Sequence, residues 1–334
     1  MAQQVVLTGV TPSGTPHLGN YIGAIKPAIE MVEEDKYKCM YFIADQHSLI
    51  KLWDKSLRQQ YIYEIAASWL ALGLDPDRAY FYRQSDIPEI MELTWIISTT
   101  TSKGLLNRAH AYKALVDQNI QEGNNDPDKG ITMGLFNYPV LMAADILIFD
   151  ADLVPVGKDQ IQHIEITRDI ANRFNHVYKT TVFKTPQALT NEDSQTILGL
   201  DGRKMSKSYG NTIPIFSSEK KLRKQIMKII TNSQTPEEKK DPSKCTIFAI
   251  YKSIASNDEI KSLEERYLAG GLGWGEAKQI LFEKINDYLK EAREKYDYYI
   301  NNSKIIDDIL ANGSAKVRPL AKNKLQQVKD VIGM

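Results

Sequence analysis

The sequence reads as an α/β protein with an open sheet in its first half and a helical second half. Three observations carry this. Short β-branched or aromatic runs alternate with stretches of helical period through the first half. Polar loops bearing glycine and proline join strand ends to helix starts, the edge where open α/β sheets bind ligands. Past residue 217 only helical periodicity remains, and at 334 residues the chain is long enough for two domains.

Gln4-Val-Val-Leu7 is a strand by its apolar run, and Ile22, Ile25, Ile29 and Val32 recur at helical spacing after it. The loop between them begins at Thr8 and carries Gly9 and Gly14, which remove side chains where a ligand could lie against the backbone. His17 and Asn20 share one face of the first helical turn. N–H groups at a helix start attract phosphates, and two side-chain donors there suit a phosphate whose charge is changing. A tight connection with a polar cap is the plainer alternative, and this stretch alone leaves both open. The G-x-G-x-x-G spacing of dinucleotide sites is absent.

Lys38–Ala44 is a second strand, ending in the polar Asp45-Gln46-His47. Residues 55–72 form a helix with Tyr61, Ile65, Ser68, Trp69 and Leu72 on its core face. Ala79–Tyr82 is a third strand, 87–116 are helical, and Asn119–Gly130 form a loop. Phe136–Phe149 is a helix with Pro139 in its first turn, which places Tyr138, Met142, Asp145 and Phe149 on one face. A buried acid needs hydrogen-bond partners. Asp145 therefore either bonds to another loop or an Arg, or stands as the single acceptor of a flat apolar slot. Such a slot fits an aromatic ligand with one N–H. Asp152–Val156 is a fourth strand. Gly157 permits close backbone approach at the corner after it, and Lys158, Asp159 and Gln160 open a helix running to about Phe174. His163 and Glu165 read as supporting or surface residues.

Composition narrows the class of protein. Lys and Arg (42) balance Asp and Glu (42), so a nucleic-acid partner would have to meet a local basic patch. No apolar run reaches the ~18 residues of a membrane helix, and the start lacks the pattern of a signal peptide. Cys39 and Cys245 stand far apart, with no metal-like spacing, and suit the reduced thiols of a cytoplasmic protein.

Leu200-Asp-Gly-Arg-Lys-Met-Ser-Lys-Ser-Tyr-Gly210 presents Lys204 and Lys207 beside the hydroxyls of Ser206 and Ser208. Gly210-Asn211 is expected to let the loop flex. Lysines on a mobile loop can follow a phosphate into the transition state. Paired with His17-Leu-Gly-Asn20, the run Lys204-Met-Ser-Lys-Ser208 resembles the two signatures of class I aminoacyl-tRNA synthetases, in that family's order and separation. Pro12-Ser13-Gly14, Gly19–Gly23, Asp45-Gln46-His47, Tyr138-Pro139 with Leu141–Leu147, Val154–Gly157 with Asp159-Gln160, and His163–Asp169 resemble the bacterial tryptophanyl-tRNA synthetases in particular. A tyrosine-specific relative is the alternative, disfavoured by the Met142–Asp145 stripe and by His163–Asp169 as written. A small nucleotidyltransferase and a non-catalytic tRNA-binding paralogue are the more distant rivals.

The resemblance implies a Rossmann-like catalytic domain, residues 1–215, followed by a helical anticodon-binding domain, residues 216–334, in a cytoplasmic homodimer. It implies that tryptophan is activated with ATP and Mg²⁺ and then transferred to tRNA, with no dedicated metal site on the protein. His17, Asn20, Lys204 and Lys207 become catalytic residues. Thr11, Pro12, Ser13, Gly19, Asn20, Gly157, Lys158, Asp159, Ile197 and Lys204-Met205-Ser206-Lys207-Ser208 become ATP-binding residues. Asp145 becomes the acceptor for the indole N–H, with His47, Tyr138, Met142, Val154, Val156 and Gln160 around the amino acid. Thr11 departs from the family, many of whose bacterial members have Gln there. The Arg108–Gly134 segment with Lys113 also departs in length and spacing. In the second half, the helix at 217–230 (Lys220, Lys221, Arg223, Lys224, Lys228) and the last helix (Lys316, Arg318, Lys322, Lys324, Lys329) carry basic stripes suited to tRNA phosphates.

Overall fold

The computed structural model describes residues 3–190 and 197–334. Five strands, β1 (Gln4–Val10), β2 (Tyr37–Ile43), β3 (Tyr80–Arg83), β4 (Leu153–Pro155) and β5 (Gln187–Leu189), make one sheet in the order β3-β2-β1-β4-β5. All four pairings are parallel. β1 runs beside β2 from Gln4↔Tyr37 to Val10↔Ile43 but pairs with β4 only at Val6↔Leu153. The chain leaves β1 on one side and returns on the other, so a crevice opens beyond the C-terminal ends of β1 and β4. β5 went unforeseen because three residues are too short to show a period.

Period-two alternation sends neighbouring strand residues to opposite faces. Val6, Tyr41 and Phe81 join a core with Ile65 and Trp69 that continues through Ile213 and Ile215 to Leu222, Leu281 and Ile306. Leu7, Phe42 and Tyr82 face the other core, with Val140, Ile164 and Phe174. Both faces are covered, which is why these strands read as continuous apolar runs.

Several sequence expectations need correction. The 87–116 region is three helices, Glu89–Ser98, Lys103–Leu106 and His110–Gln121. Thr99, Thr100 and Thr101 turn their hydroxyls back to the Ile96 and Ile97 carbonyls, competing with the helix ladder, and Ser102 caps the next turn. The helix expected from Phe136 runs Met133–Leu147 with Thr132 as its cap, so Pro139 lies inside it rather than in the first turn. Phe149 falls beyond its end and packs edge-on against Tyr82, 5.8 Å between centroids, leaving the stripe.

The last helix, Ser303–Ile332, corrects the basic stripe and the clean division at residue 216. Its Val317, Ala321, Leu325 and Val328 belong to the sheet's second core. Gly313 lies against β3 so closely that a Cβ would stand 1.8 Å from the Phe81 carbonyl oxygen. Arg318 donates to Glu89 at 2.9 Å, Lys329 meets Glu92 at 2.5 Å, and buried Lys324 meets Asp150 and the Val182 carbonyl, both at 2.7 Å. These three cations fasten the helix to the sheet domain. Lys316 and Lys322 remain exposed.

Candidate active site

β1 delivers the chain into the helical turn Leu18–Asn20, for which His17 is the cap. His17 Nδ1 accepts the Asn20 N–H, and the His17 N–H donates to Asn20 Oδ1, both at 3.2 Å. This reciprocal cap places the proton of the neutral ring on Nε2, the remaining donor. Burial first, then the charge of Lys207, lowers the His17 pKa to about 4, so the ring is neutral at pH 7. A π-helical turn, Tyr21–Ile25, joins this helix to Lys26–Val32.

The lysine loop docks on that turn mainly through backbone groups. The Leu18 N–H donates to the Ile213 carbonyl at 2.9 Å, and the Gly19 N–H meets the Met205 sulfur at 3.3 Å, 186 residues away in sequence. Lys207 Nζ donates to the Ser13 and Gly14 carbonyls at 2.8 and 3.2 Å. Gly14 has φ +86°, and a Cβ there would lie 3.6 Å from Lys207 Nζ. Burial lowers the Lys207 pKa and Glu64 partly restores it. Asn211 is buried at the loop's centre. It receives the Ser206 N–H at 2.8 Å and donates to Asp201 Oδ1 at 2.7 Å and the Lys204 carbonyl at 3.1 Å. Asn211 therefore shapes the loop, contrary to the flexing role expected of it.

The opposite end is built on strand ends. Asp145 is buried, with Oδ2 2.9 Å from His47 Nε2; Gln84 Nε2 donates to Oδ1 at 2.8 Å and Oδ2 at 3.0 Å. Burial raises the Asp145 pKa, and the bonds from His47 and Gln84 pull it back. Beside it, Tyr138 OH lies 3.0 Å from Nε2 of buried His163, which is the supporting place expected for that histidine.

One cavity of about 460 Å³ joins the two ends. Thr11, Ser13, Asn20, Gly157 and Lys207 line its polar end, and His47, Tyr138, Met142, Asp145, Val154, Val156 and Gln160 line its other part. Other expected residues stand outside the wall. Pro12, His17, Ile197 and Met205 are buried beneath the loops, with the Met205 N–H bonded to the Ile197 carbonyl at 2.8 Å. Gly19 is covered by Met205, Ser206 is half-buried in the loop, and Lys158, Lys204 and Ser208 are exposed. The Asp159 side chain falls outside the described part of the structure. Gly9 and Gly14 do line the cavity, and a Cβ on Gly9 would sit 2.5 Å from the Phe42 ring, which is also cavity wall. Sequence reasoning missed Gln84, although it follows β3 at the ligand-binding edge of the sheet, where that signal was available. It also missed Phe42, Ile146 and the structural part of Asn211.

A polar end bearing Lys207 and a more apolar end with the buried Asp145 carboxylate thus share one cavity. The profile of the class I tRNA synthetases (W and Y) matches residues 2–290. A tryptophan–tRNA ligase of Neisseria meningitidis is 49% identical over 334 residues, covering 100% of this chain and 99% of the relative. That of Pseudomonas putida is 52% identical over 331 residues, 98% of this chain and 73% of the relative. The crystal structure of tryptophanyl-tRNA synthetase from Campylobacter jejuni, complexed with ADP and tryptophan, superposes with a TM-score of 0.91. Identity is 46%, covering 99% of this chain and 100% of that one. The chain belongs to the class I aminoacyl-tRNA synthetases, and within them to the bacterial tryptophanyl-tRNA synthetase family. The likeness to an Archaeoglobus fulgidus tyrosyl-tRNA synthetase, 20% identity at TM-score 0.64, is one of fold.

Proposed function

We propose that the chain is a tryptophan–tRNA ligase, which forms tryptophanyl-adenylate from L-tryptophan and ATP with release of pyrophosphate and then acylates tRNA(Trp). The observation that carries this is the single cavity with a phosphate cradle at one end and a buried carboxylate at the other. In the first step a tryptophan carboxylate oxygen attacks the α-phosphorus of ATP. The bond from that phosphorus to the bridging oxygen breaks, and pyrophosphate leaves with the electron pair. In the second, a terminal ribose hydroxyl of the tRNA attacks the acyl carbon, AMP leaves, and the hydroxyl proton passes to the departing phosphate. Neither step uses a covalent nucleophile of the protein, whose work is positioning and charge compensation.

His17 Nε2–H and the Asn20 amide serve as phosphate donors, on the loop of Thr11, Pro12, Ser13 and Gly19. Gly157, Lys158 and Asp159 form the nucleotide corner opposite. Lys207, with Lys204, follows the charge that develops on pyrophosphate; its partly desolvated ammonium exchanges the Ser13 and Gly14 carbonyls for phosphate oxygens. Ile197, Met205, Ser206 and Ser208 hold that loop's shape, and Mg²⁺ arrives with the phosphates of ATP. A carboxylate has about four acceptor positions, so His47 and Gln84 leave Asp145 capacity for one indole N–H. Tyr138, Met142, Val154, Val156 and Gln160 enclose the rest of the amino acid.

For tRNA, the exposed Lys220, Lys221, Arg223, Lys224 and Lys228 offer a cationic face on and after the Glu219–Ile226 helix. The helices from residue 216 onward form the tRNA-reading part, with the last helix shared with the sheet. Exposed Trp95 (73%) and Met91 (45%) on the Glu89–Ser98 helix favour a homodimer. A cytoplasmic location accords with this role, and no helix among the described residues is long and apolar enough to cross a membrane. ATP–pyrophosphate exchange across all twenty amino acids tests the proposal. Exchange supported by tryptophan is expected, and exchange supported by tyrosine instead would overturn it.

A further inference from the structure

Asp145 is held from two strand ends at once. Gln84, the first residue after β3, is fully buried, and its Nε2 spans both carboxylate oxygens, at 2.8 and 3.0 Å. Its Oε1 accepts the Gln46 N–H at 3.1 Å. A backbone donor on one side and a carboxylate on the other fix which end of the amide is which. Gln46 precedes His47, whose Nε2 meets the same carboxylate at 2.9 Å, so backbone, imidazole, carboxylate and amide close a ring. Asp45 fastens the ends of β2 and β3 beneath it, receiving the Ser85 N–H at 3.0 Å and the Ser85 hydroxyl at 2.5 Å.

We infer that Gln84 is a positioning residue for tryptophan selection, fixing the direction in which Asp145 presents its free lone pair to the indole N–H. This rests on the reading of Asp145 as the indole acceptor. Gln84 forms no part of the cavity wall, so it acts on the substrate only through Asp145. A carboxylate rotates in a broad torsional well, and a donor bridging both oxygens removes that freedom. The amide also governs ionisation. The titratable groups facing Asp145 are His47 and Asp45 from the end of β2 and Tyr82 from β3. Burial and Asp45 raise its pKa, while His47 and Gln84 lower it. Loss of the Gln84 amide raises it further, and a protonated Asp145 offers a donor where the indole needs an acceptor.

The test compares ATP–pyrophosphate exchange with tryptophan and with benzothienylalanine, in which sulfur replaces the indole N–H at nearly constant shape. Gln84→Met removes the amide and keeps the volume. Gln84→Glu keeps the shape and replaces the donor, so it carries the test if Gln84→Met does not fold. Each variant is expected to lower the preference for tryptophan over the analogue about tenfold, the scale of one misdirected bond to a charged group. The loss falls on the tryptophan KM with kcat retained, and the acid limb of tryptophan kcat/KM moves to higher pH. Equal losses for both substrates, or an unchanged preference and acid limb, reduce Gln84 to a packing residue and overturn the inference. Asp145→Ala, run in parallel, removes the acceptor and separates the two readings. If wild type shows no preference for tryptophan over the analogue, or Asp145→Ala keeps that preference, the acceptor reading itself fails and takes the inference with it. If Asp145→Ala abolishes the preference and both Gln84 variants keep it, the inference alone fails.

Discussion

The two ends of the cavity are made in opposite ways. The lysine-bearing end is assembled from loops far apart in sequence, tied through backbone groups, and its lysines sit at the surface: Lys204 is exposed and Lys207 rests on two carbonyls. The other end is built on the tips of β2 and β3 and one helix, with Asp145 and Gln84 buried and bonded before any substrate arrives. Charge that exists only in a transition state is best met by groups free to move onto it. Identity is best read by an acceptor that cannot move, because an analogue lacking the donor then leaves it unpaired.

The largest effect should come from the lysine-bearing end. Lys207→Ala should slow adenylate formation by about 2–4 kcal/mol of transition-state stabilisation, while the Kd for tryptophan hardly changes. Single-turnover activation with saturating tryptophan and ATP measures it. An unaltered rate would take the loop out of the chemistry and dissolve the contrast between the ends.

Asp145→Ala should act on selection instead. We expect tryptophan kcat/KM to fall by about 2–3 kcal/mol, the scale of a lost bond to a charged group. Phenylalanine, which never used that acceptor, should be unaffected or slightly improved. Tyrosine should gain nothing either, since its hydroxyl projects along the ring axis and misses Asp145. Exchange kinetics with the three amino acids decide the matter, and parallel losses for tryptophan and phenylalanine would make Asp145 a structural acid.

Both ends were legible to the same depth. Local spacing exposed the His17–Asn20 turn, the Lys204–Ser208 loop and the Tyr138–Met142–Asp145 face, because each is a short run whose geometry follows from one element. Partners from other elements were not legible. Nothing near Asp145 in sequence names Gln84 or His47 as its donors, and Asn211 reads as a loop residue until its three side-chain bonds are seen. The basic stripe of the last helix failed for the same reason. Glu89, Glu92 and Asp150, which bind Arg318, Lys329 and Lys324, come from the distant sheet domain, so periodicity showed the cations without their counter-ions.

Asn211 offers a smaller test of the lysine-bearing end. Asn211→Ala removes the group that gathers Asp201, Lys204 and Ser206, leaving a backbone N–H without its acceptor. We expect adenylate formation to slow by about tenfold, the scale of one or two lost hydrogen bonds, with tryptophan affinity retained. Limited proteolysis should cut between 200 and 211 faster than in wild type. A variant equally resistant and equally active would show that docking through Met205 and Ile213 suffices to shape the loop.

The last expected effect concerns the charge state of the lysine-bearing end and is read in stability, not in rate. His17 titrates near 6.5 when unfolded and at about 4 in the folded chain, lowered by burial and then by Lys207. Between those values the unfolded chain holds a proton that the folded chain refuses. Stability therefore rises with pH through this window; the contribution is complete above pH 6.5 and disappears as pH falls towards 4. His17→Asn removes the titration but keeps a side-chain oxygen able to cap the Asn20 N–H. Thermal unfolding between neutral pH and about pH 4.5 should thus cost wild type more Tm than His17→Asn, every other titrating group being shared. Equal losses would mean that His17 takes up its proton in the folded state as readily as in the unfolded one. The turn would then present an imidazolium below about pH 6, a third fixed cation beside Lys204 and Lys207 rather than a neutral donor.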